Sequence, residues 1–177
     1  NKKSEVISIG HRNIQGMTFF DSNKILATEH GPQGGDEINL ISTDAVKNYG
    51  WPISSYGIHY TNYLTDKYAS TAPLNKSHKD FGFIEPIFHF NVEDIQSNGF
   101  SQIIPNYFSP EGDFFVTSLN GRTIYNLKAK DGPSELTKFI NTGERIRDII
   151  FVENYGFYIL LQEDTPKLSL LKQKNQK

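Results

Sequence analysis

"FSPEGDFFVTSLNG", Phe108 to Gly121, gives the unit from which the chain is built. An aromatic residue leads into a turn made by Pro110 and Gly112. An apolar run follows, then small polar residues and a closing glycine. The apolar run, Phe114–Ser118, has the length and aromatic and β-branched content of a strand. "FFDSNKILATEHG" (Phe19–Gly31) repeats the scheme, and "FVENYGFYILLQED" (Phe151–Asp164) fits it a third time. Repeated strand–turn–strand units point to propeller blades, although a β-sandwich would give a similar pattern.

Outward from these units, short apolar-alternating runs recur between breakers. They are Val6–Ile9, Met17–Phe20, Ile25–Thr28, Glu37–Ser42, Ile87–Phe90, Thr123–Leu127, Leu136–Ile140, Arg147–Val152, Phe157–Leu161 and Leu168–Lys172. "DSNK", "LNGR", "KDGPS" and "ENYG" mark the turns. No long window keeps a helical apolar period, so the reading is all-β. Residues 50–80 interrupt the rhythm as one long polar loop, with Tyr56, Tyr60, Tyr63 and Tyr68 inside it and Tyr49 at its edge. A loop of this length is either functional or packed by its own aromatics. The "KQKNQK" tail reads as frayed and solvated.

Composition narrows the function. The 177 residues suffice for one domain with its own core, read here as a single domain over residues 1–177. The net charge of −2 gives no reason to expect nucleic acid or an anionic membrane. No apolar run is long enough for a membrane helix. The absence of cysteine excludes disulfides, thiolate metal sites and a Cys nucleophile. The five histidines form no H-x-H or H-x-x-x-H pair, and no G-x-S-x-G is present. His11 and His30 read as structural, and Trp51 as a loop or core anchor.

Three motifs carry chemistry. In "GHRNIQG", Arg12 offers a fork for a carboxylate or phosphate and Asn13 can both donate and accept; a salt bridge beside a turn Asn is the plainer account. In "GERIRD", Arg145 and Arg147 fall on one face of a strand and repel unless an anion lies between them. Only four arginines, at 12, 122, 145 and 147, stand against 14 lysines, and three of the four lie in these two motifs. That clustering favours an anionic ligand such as a polycarboxylate, with Glu144 and Asp148 as the alternative, internal partners. "EHGPQGGDEIN" (Glu29–Asn39) offers loop carbonyls and the adjacent acids Asp36 and Glu37. A mixed set of hard oxygens suits Ca²⁺ over Zn²⁺, and a glycine turn explains the same residues equally well.

Taken in order, "GHRNIQGMTFF", "EHGPQGGDEINLI", "NYGWP", "GERIRD" and "FYILLQED" resemble the soluble pyrroloquinoline-quinone (PQQ)-dependent glucose/sorbosone, or aldose sugar, dehydrogenases. The weaker middle, "EPIFHF…IQSNGFS", is similar too. The resemblance implies a six-bladed β-propeller, of which this chain supplies about three C-terminal blades. It implies oxidation of an aldose at C1, with PQQ and Ca²⁺ over the central channel. Arg12, Asn13, Arg145 and Arg147 would contact the tricarboxylate cofactor. The carbonyls of Gly31 and Pro32 would hold the Ca²⁺ beside it, and the Glu37 side chain with the Tyr49 carbonyl a second, structural Ca²⁺. The family's lysine after "SL" is replaced by Asn120, with Arg122 two residues on. The catalytic base, a His on an early blade, has no counterpart, so no catalytic residue is expected in this chain. Two arrangements are expected to cover the open ends of half a propeller: a missing N-terminal half, or a homodimer closing the ring. The resemblance also implies a sugar partner and a periplasmic or secreted location. A non-catalytic binding propeller and a Ca²⁺-dependent carbohydrate-binding module remain the alternatives.

Overall fold

The computed structural model describes residues 5–59, 77–97 and 99–174. Within them the chain forms three antiparallel sheets in sequence order. The strand β1 (Ser8–Ile9) precedes the first sheet. That sheet holds β2 (Ile14–Phe19), β3 (Lys24–Glu29), β4 (Glu37–Ser42) and β6 (Phe88–His89), hydrogen-bonded in that order. The short β5 (Lys47–Asn48) leaves the sheet to pair in parallel with β1. The second sheet is β7 (Phe100–Pro105), β8 (Phe114–Ser118), β9 (Thr123–Lys128) and β10 (Glu135–Asn141). The third is β11 (Ile146–Val152), β12 (Phe157–Gln162) and β13 (Lys167–Leu171). Only short 3₁₀ turns interrupt the strands, and no α-helix occurs among the described residues.

The sheets stack as propeller blades. Their first strands are neighbours, β2 against β7 and β7 against β11. One apolar cluster joins the first two blades: Leu26, Ile38 and Phe90 meet Phe100, Phe114, Val116 and Tyr125. A second joins blades two and three through Phe115, Ile124, Ile149, Tyr158 and Leu160. The sequence of β8 shows why. Phe114 and Val116 point to one neighbour and Phe115 to the other, so every residue of the strand is buried. Polar ties cross the same seams: Thr28 Oγ1 donates to Ser101 O at 3.0 Å, and Ser101 Oγ to Ile146 O at 2.6 Å. At Gly16 the blades touch through backbone. A β-carbon there would lie 2.7 Å from both Gln102 Cα and Ser101 O.

Two strands escape the sequence reading, β5 and β7. In β7 the register shifts between Phe100 and Ile103, which breaks the period of two that marks a strand. The same irregularity opens the inner strand of each blade, between Ile14 and Gly16 and between Ile146 and Asp148. It also explains why β2 begins at Ile14, ahead of the expected Met17. The inserted loop falls between β4 and β6. Its residues 60–76, including Tyr60, Tyr63 and Tyr68, lie outside the described residues, as do 175–177 of the tail.

Candidate functional site

The parallel β1–β5 pair builds one wall of the site. It lays Gly10–Asn13 beside Tyr49–Trp51, with Tyr49 N–H donating to Ile9 O and Trp51 N–H to Gly10 O, both at 2.9 Å. The Arg12 guanidinium sits over the Trp51 ring, 5.3 Å from its centroid, so Trp51 does act as an anchor. Arg12 Nη1 donates to His30 O at 3.1 Å. Asn13 O accepts the His30 N–H at 3.0 Å, which holds Asn13 against the end of β3.

Glu29, which the sequence did not single out, organises this wall. Its buried carboxylate accepts the Arg12 backbone N–H at 2.8 Å and Asn39 Nδ2 at 2.5 Å, and meets His11 Nδ1 at 3.1 Å. His11 also reaches Ser8 Oγ at 2.9 Å and stacks on Tyr49 at 4.7 Å. His11 thus braces this wall through Glu29, Ser8 and Tyr49.

Asp36 fixes the glycine loop. One carboxylate oxygen accepts N–H groups from Gly99 and Phe100 at 2.6 and 2.8 Å, and the other accepts from Gly31 at 3.2 Å. The loop of blade one is thereby tied to the first strand of blade two. Burial raises the Asp36 pKa, against the opposing pull of His30 and these three donors. His30 Nε2 engages Phe100 O at 2.6 Å across the same seam. The glycines are demanded by close backbone approach. Gly35 has φ +67°, and a β-carbon on it would lie 2.0 Å from Gly57 N. Gln33 and Ile58 form a β-bridge at the same place.

Between these walls opens a pocket of about 350 Å³, within the range of small-molecule sites. Arg12, Asn13, Gly31, Pro32 and Asn120 all line it, together with Asp36 and Gly99. Asn120 arrives because "TSLNG" ends β8 as "ATEHG" ends β3, at the same rim of the next blade. With the Gly31 N–H taken by Asp36 and none on Pro32, the polar groups these two residues have left are carbonyl oxygens, a type that fits a hard cation beside an anionic ligand.

The other arginines lie outside the lining of that pocket. Arg145 Nε and Arg147 Nη2 both meet Glu163 Oε2, at 3.2 and 2.8 Å. Glu144 and Asp148, the alternative internal partners, do not take these arginines. Glu144 is bound by Lys167 at 2.5 Å, and the Asp148 carboxylate accepts the Ile149 N–H at 2.8 Å. The anion between the two guanidiniums is Glu163, from the end of β12, and their hydrogen bonds lower its pKa. Arg122 is held by Gly143 O at 2.8 Å and by Asp164 at 3.0 Å.

Glu37 and Tyr49 are brought together, with an imidazole between them. His78 Nδ1 contacts Tyr49 O at 3.0 Å, and Nε2 lies 3.3 Å from Glu37 Oε1, off the ideal hydrogen-bond line. Burial raises the Glu37 pKa. Burial pulls that of His78 down, but Glu37, Glu85 and the Tyr49 carbonyl outweigh it, and the net shift is upward.

Residues 1–171 match the sequence model of the glucose/sorbosone dehydrogenases. The chain belongs to the glucose/sorbosone dehydrogenase family. Similar proteins give the scale. The aldose sugar dehydrogenase of Escherichia coli K12 is 30% identical over 184 residues, covering 98% of this chain and 45% of the relative. The quinoprotein glucose dehydrogenase B of Acinetobacter calcoaceticus is 43% identical over 82 residues, which are 44% of this chain and 15% of that protein. The apo structure of the soluble aldose sugar dehydrogenase of E. coli superposes with a TM-score of 0.71 at 25% identity, over 96% of this chain and 47% of its own. The chain thus spans less than half the length of these relatives.

Proposed function

We propose that this chain is the cofactor-holding part of a PQQ-dependent aldose sugar dehydrogenase. The carrying observation is the convergence of Arg12, Asn13, Gly31, Pro32 and Asn120 on one open pocket. The kinship with an aldose sugar dehydrogenase and a quinoprotein supports it. Arg12 would bind a carboxylate of the tricarboxylate quinone. Its guanidinium has five N–H donors and spends one on His30 O, while Trp51 and Glu29 hold its position. Asp36 would fix the loop that carries the Gly31 and Pro32 carbonyls, since it accepts the N–H groups of Gly31 and Gly99. Arg145 and Arg147 would supply a second carboxylate contact, preset by Glu163. Bound there, the quinone would accept the hydride equivalent from a sugar C1–OH, with Ca²⁺ on the Gly31 and Pro32 carbonyls polarising it. The base for the hydroxyl proton is assigned to no residue of this chain.

The test is titration of the protein with PQQ and Ca²⁺, followed by absorbance and melting temperature. Saturable changes in both are expected. Arg12→Ala should weaken them about tenfold or more, since a hydrogen bond to a charged group contributes roughly 1.5–3 kcal/mol. Unchanged spectra and melting temperature in the wild type would sink the reading.

One feature favours a second reading, a propeller that binds without redox turnover. Asn120 puts an uncharged side chain where the family resemblance implies a lysine. Sugar-dependent dye reduction by the PQQ-loaded full-length protein decides between the two.

A further inference from the structure

We propose that the side chain of His78 takes the place of a metal ion between the Glu37 carboxylate and the Tyr49 carbonyl, so that this chain binds no calcium there. These are the two groups that the family resemblance would give to a second Ca²⁺. His78 occupies the space between them, with one ring nitrogen on each. The ring is held on every side. It is 1% exposed, it stacks on Tyr56 at 5.3 Å and 10°, and Tyr56 stacks in turn on His89 at 3.5 Å. Its backbone O accepts from Phe81 and Phe83, at 3.1 and 3.0 Å, so the 3₁₀ turn after it anchors the residue. Gly50 makes room: a β-carbon there would lie 3.0 Å from His78 Nδ1, and its φ of +104° already selects glycine.

Most of the oxygens that calcium would need already face nitrogen, Asn39 Oδ1 and Ser54 Oγ being the buried ones without a hydrogen-bond partner. Calcium takes about six to eight oxygens at roughly 2.3–2.6 Å. Here Tyr49 O receives His78, Glu37 Oε2 is 3.4 Å from Asn39 Nδ2, and both oxygens of the nearby Glu29 are taken by Arg12, Asn39 and His11. The cavity that remains beside Glu37, Tyr49 and Ser54 is about 10 Å³, room for one water, and the Arg12 cation lines it. Among the described residues no group of three or more His, Asp or Glu side chains is placed to hold a metal ion. The imidazole does a cation's structural work. It ties the first residue of β4 to the segment that carries Trp51, and so to Arg12.

Equilibrium dialysis against radiolabelled Ca²⁺, without quinone, compares the full chain with Glu37→Gln and His78→Ala. Glu37→Gln should bind as many ions as the wild type. His78→Ala should bind one more, and its melting temperature should rise with Ca²⁺ more than that of the wild type. A wild type that exceeds Glu37→Gln by one ion would overturn the proposal, and so would a His78→Ala that gains none. Should Glu37→Gln fail to fold, wild type against His78→Ala carries the test alone. The count is a difference between variants of one site, so it is independent of whether the pocket at Arg12 binds quinone.

Discussion

At the scale of single residues, the site was legible where side-chain chemistry is unusual and hidden where it is ordinary. Arginine is rare in this chain, so Arg12 stood out, and it does line the pocket. Glu29 and Asp36 are ordinary acids beside a turn. Nothing in their spacing shows that one holds the Arg12 backbone and the other three N–H groups from two blades. Such a carboxylate has a measurable worth. Asp36→Asn keeps the shape but puts an NH₂ group where an oxygen accepts. It should cost roughly 2–3 kcal/mol, read as a lower midpoint in urea with an unchanged slope; an unchanged midpoint would contradict the pinning role. Glu163 gives a pH signature instead. Its pKa is lowered from 4.5 by the hydrogen bonds of Arg147 and Arg145. A lowered carboxylate pKa contributes stability above the unfolded value, and this is lost as pH falls through the folded one. Glu163→Gln should therefore melt below the wild type at pH 7, and the gap should close well under pH 4.5. A gap that stays constant with pH would show that the pair is neutral to stability.

At the scale of elements, the outer strands could be read from alternation and turns, and β4 and β8 run over the residues expected. Of the inner strands, β7 escaped, β2 was read without its first residues, and β11 was read to within one residue. Each carries a register shift at its first pairs, and those of β2 and β7 lie beside the pocket residues Asn13 and Gly99. Bulges re-aim side chains at such rims at the expense of the regular period. At β2 and β7, whose starts adjoin Asn13 and Gly99 of the pocket, the irregularity that shapes the site also obscures the strand. The seams between blades should carry most of the stability. Phe115 is fully buried, with Phe108, Phe139 and Tyr158 around its ring at 4.8 to 6.1 Å. Phe115→Ala should cost about 3–5 kcal/mol. Gly35→Ala should also destabilise, by about 2 kcal/mol or more, because φ +67° and the approach to Gly57 both oppose a side chain. If chemical denaturation finds Gly35→Ala neutral, the two loops do not meet as described.

At the scale of the whole molecule, three blades leave two faces that a closed ring would cover. On the first blade Ile9, Met17, Phe19 and Val46 are exposed, Phe19 to 71%. On the third, Ile150, Leu161, Leu168 and Leu170 are exposed, Leu168 also to 71%. The third sheet has three strands where the other two have four, and the outer edge of β13 is unpaired among the described residues. Apolar side chains beside an open strand edge are a template for association. Two arrangements would bury both faces: further blades of a longer chain, or a second copy of this one. Mass in solution separates them. If two copies close a ring, light scattering on the purified chain gives a discrete dimer, and Leu168→Lys combined with Leu170→Lys converts it to monomer. If further blades complete the ring instead, the isolated chain forms no such dimer. It then binds a hydrophobic dye, and that signal falls when the missing blades are supplied as a separate polypeptide. A monomer that binds neither dye nor added blades would mean that these faces need no cover. The partial propeller would then be complete as a binding fold, against both expectations.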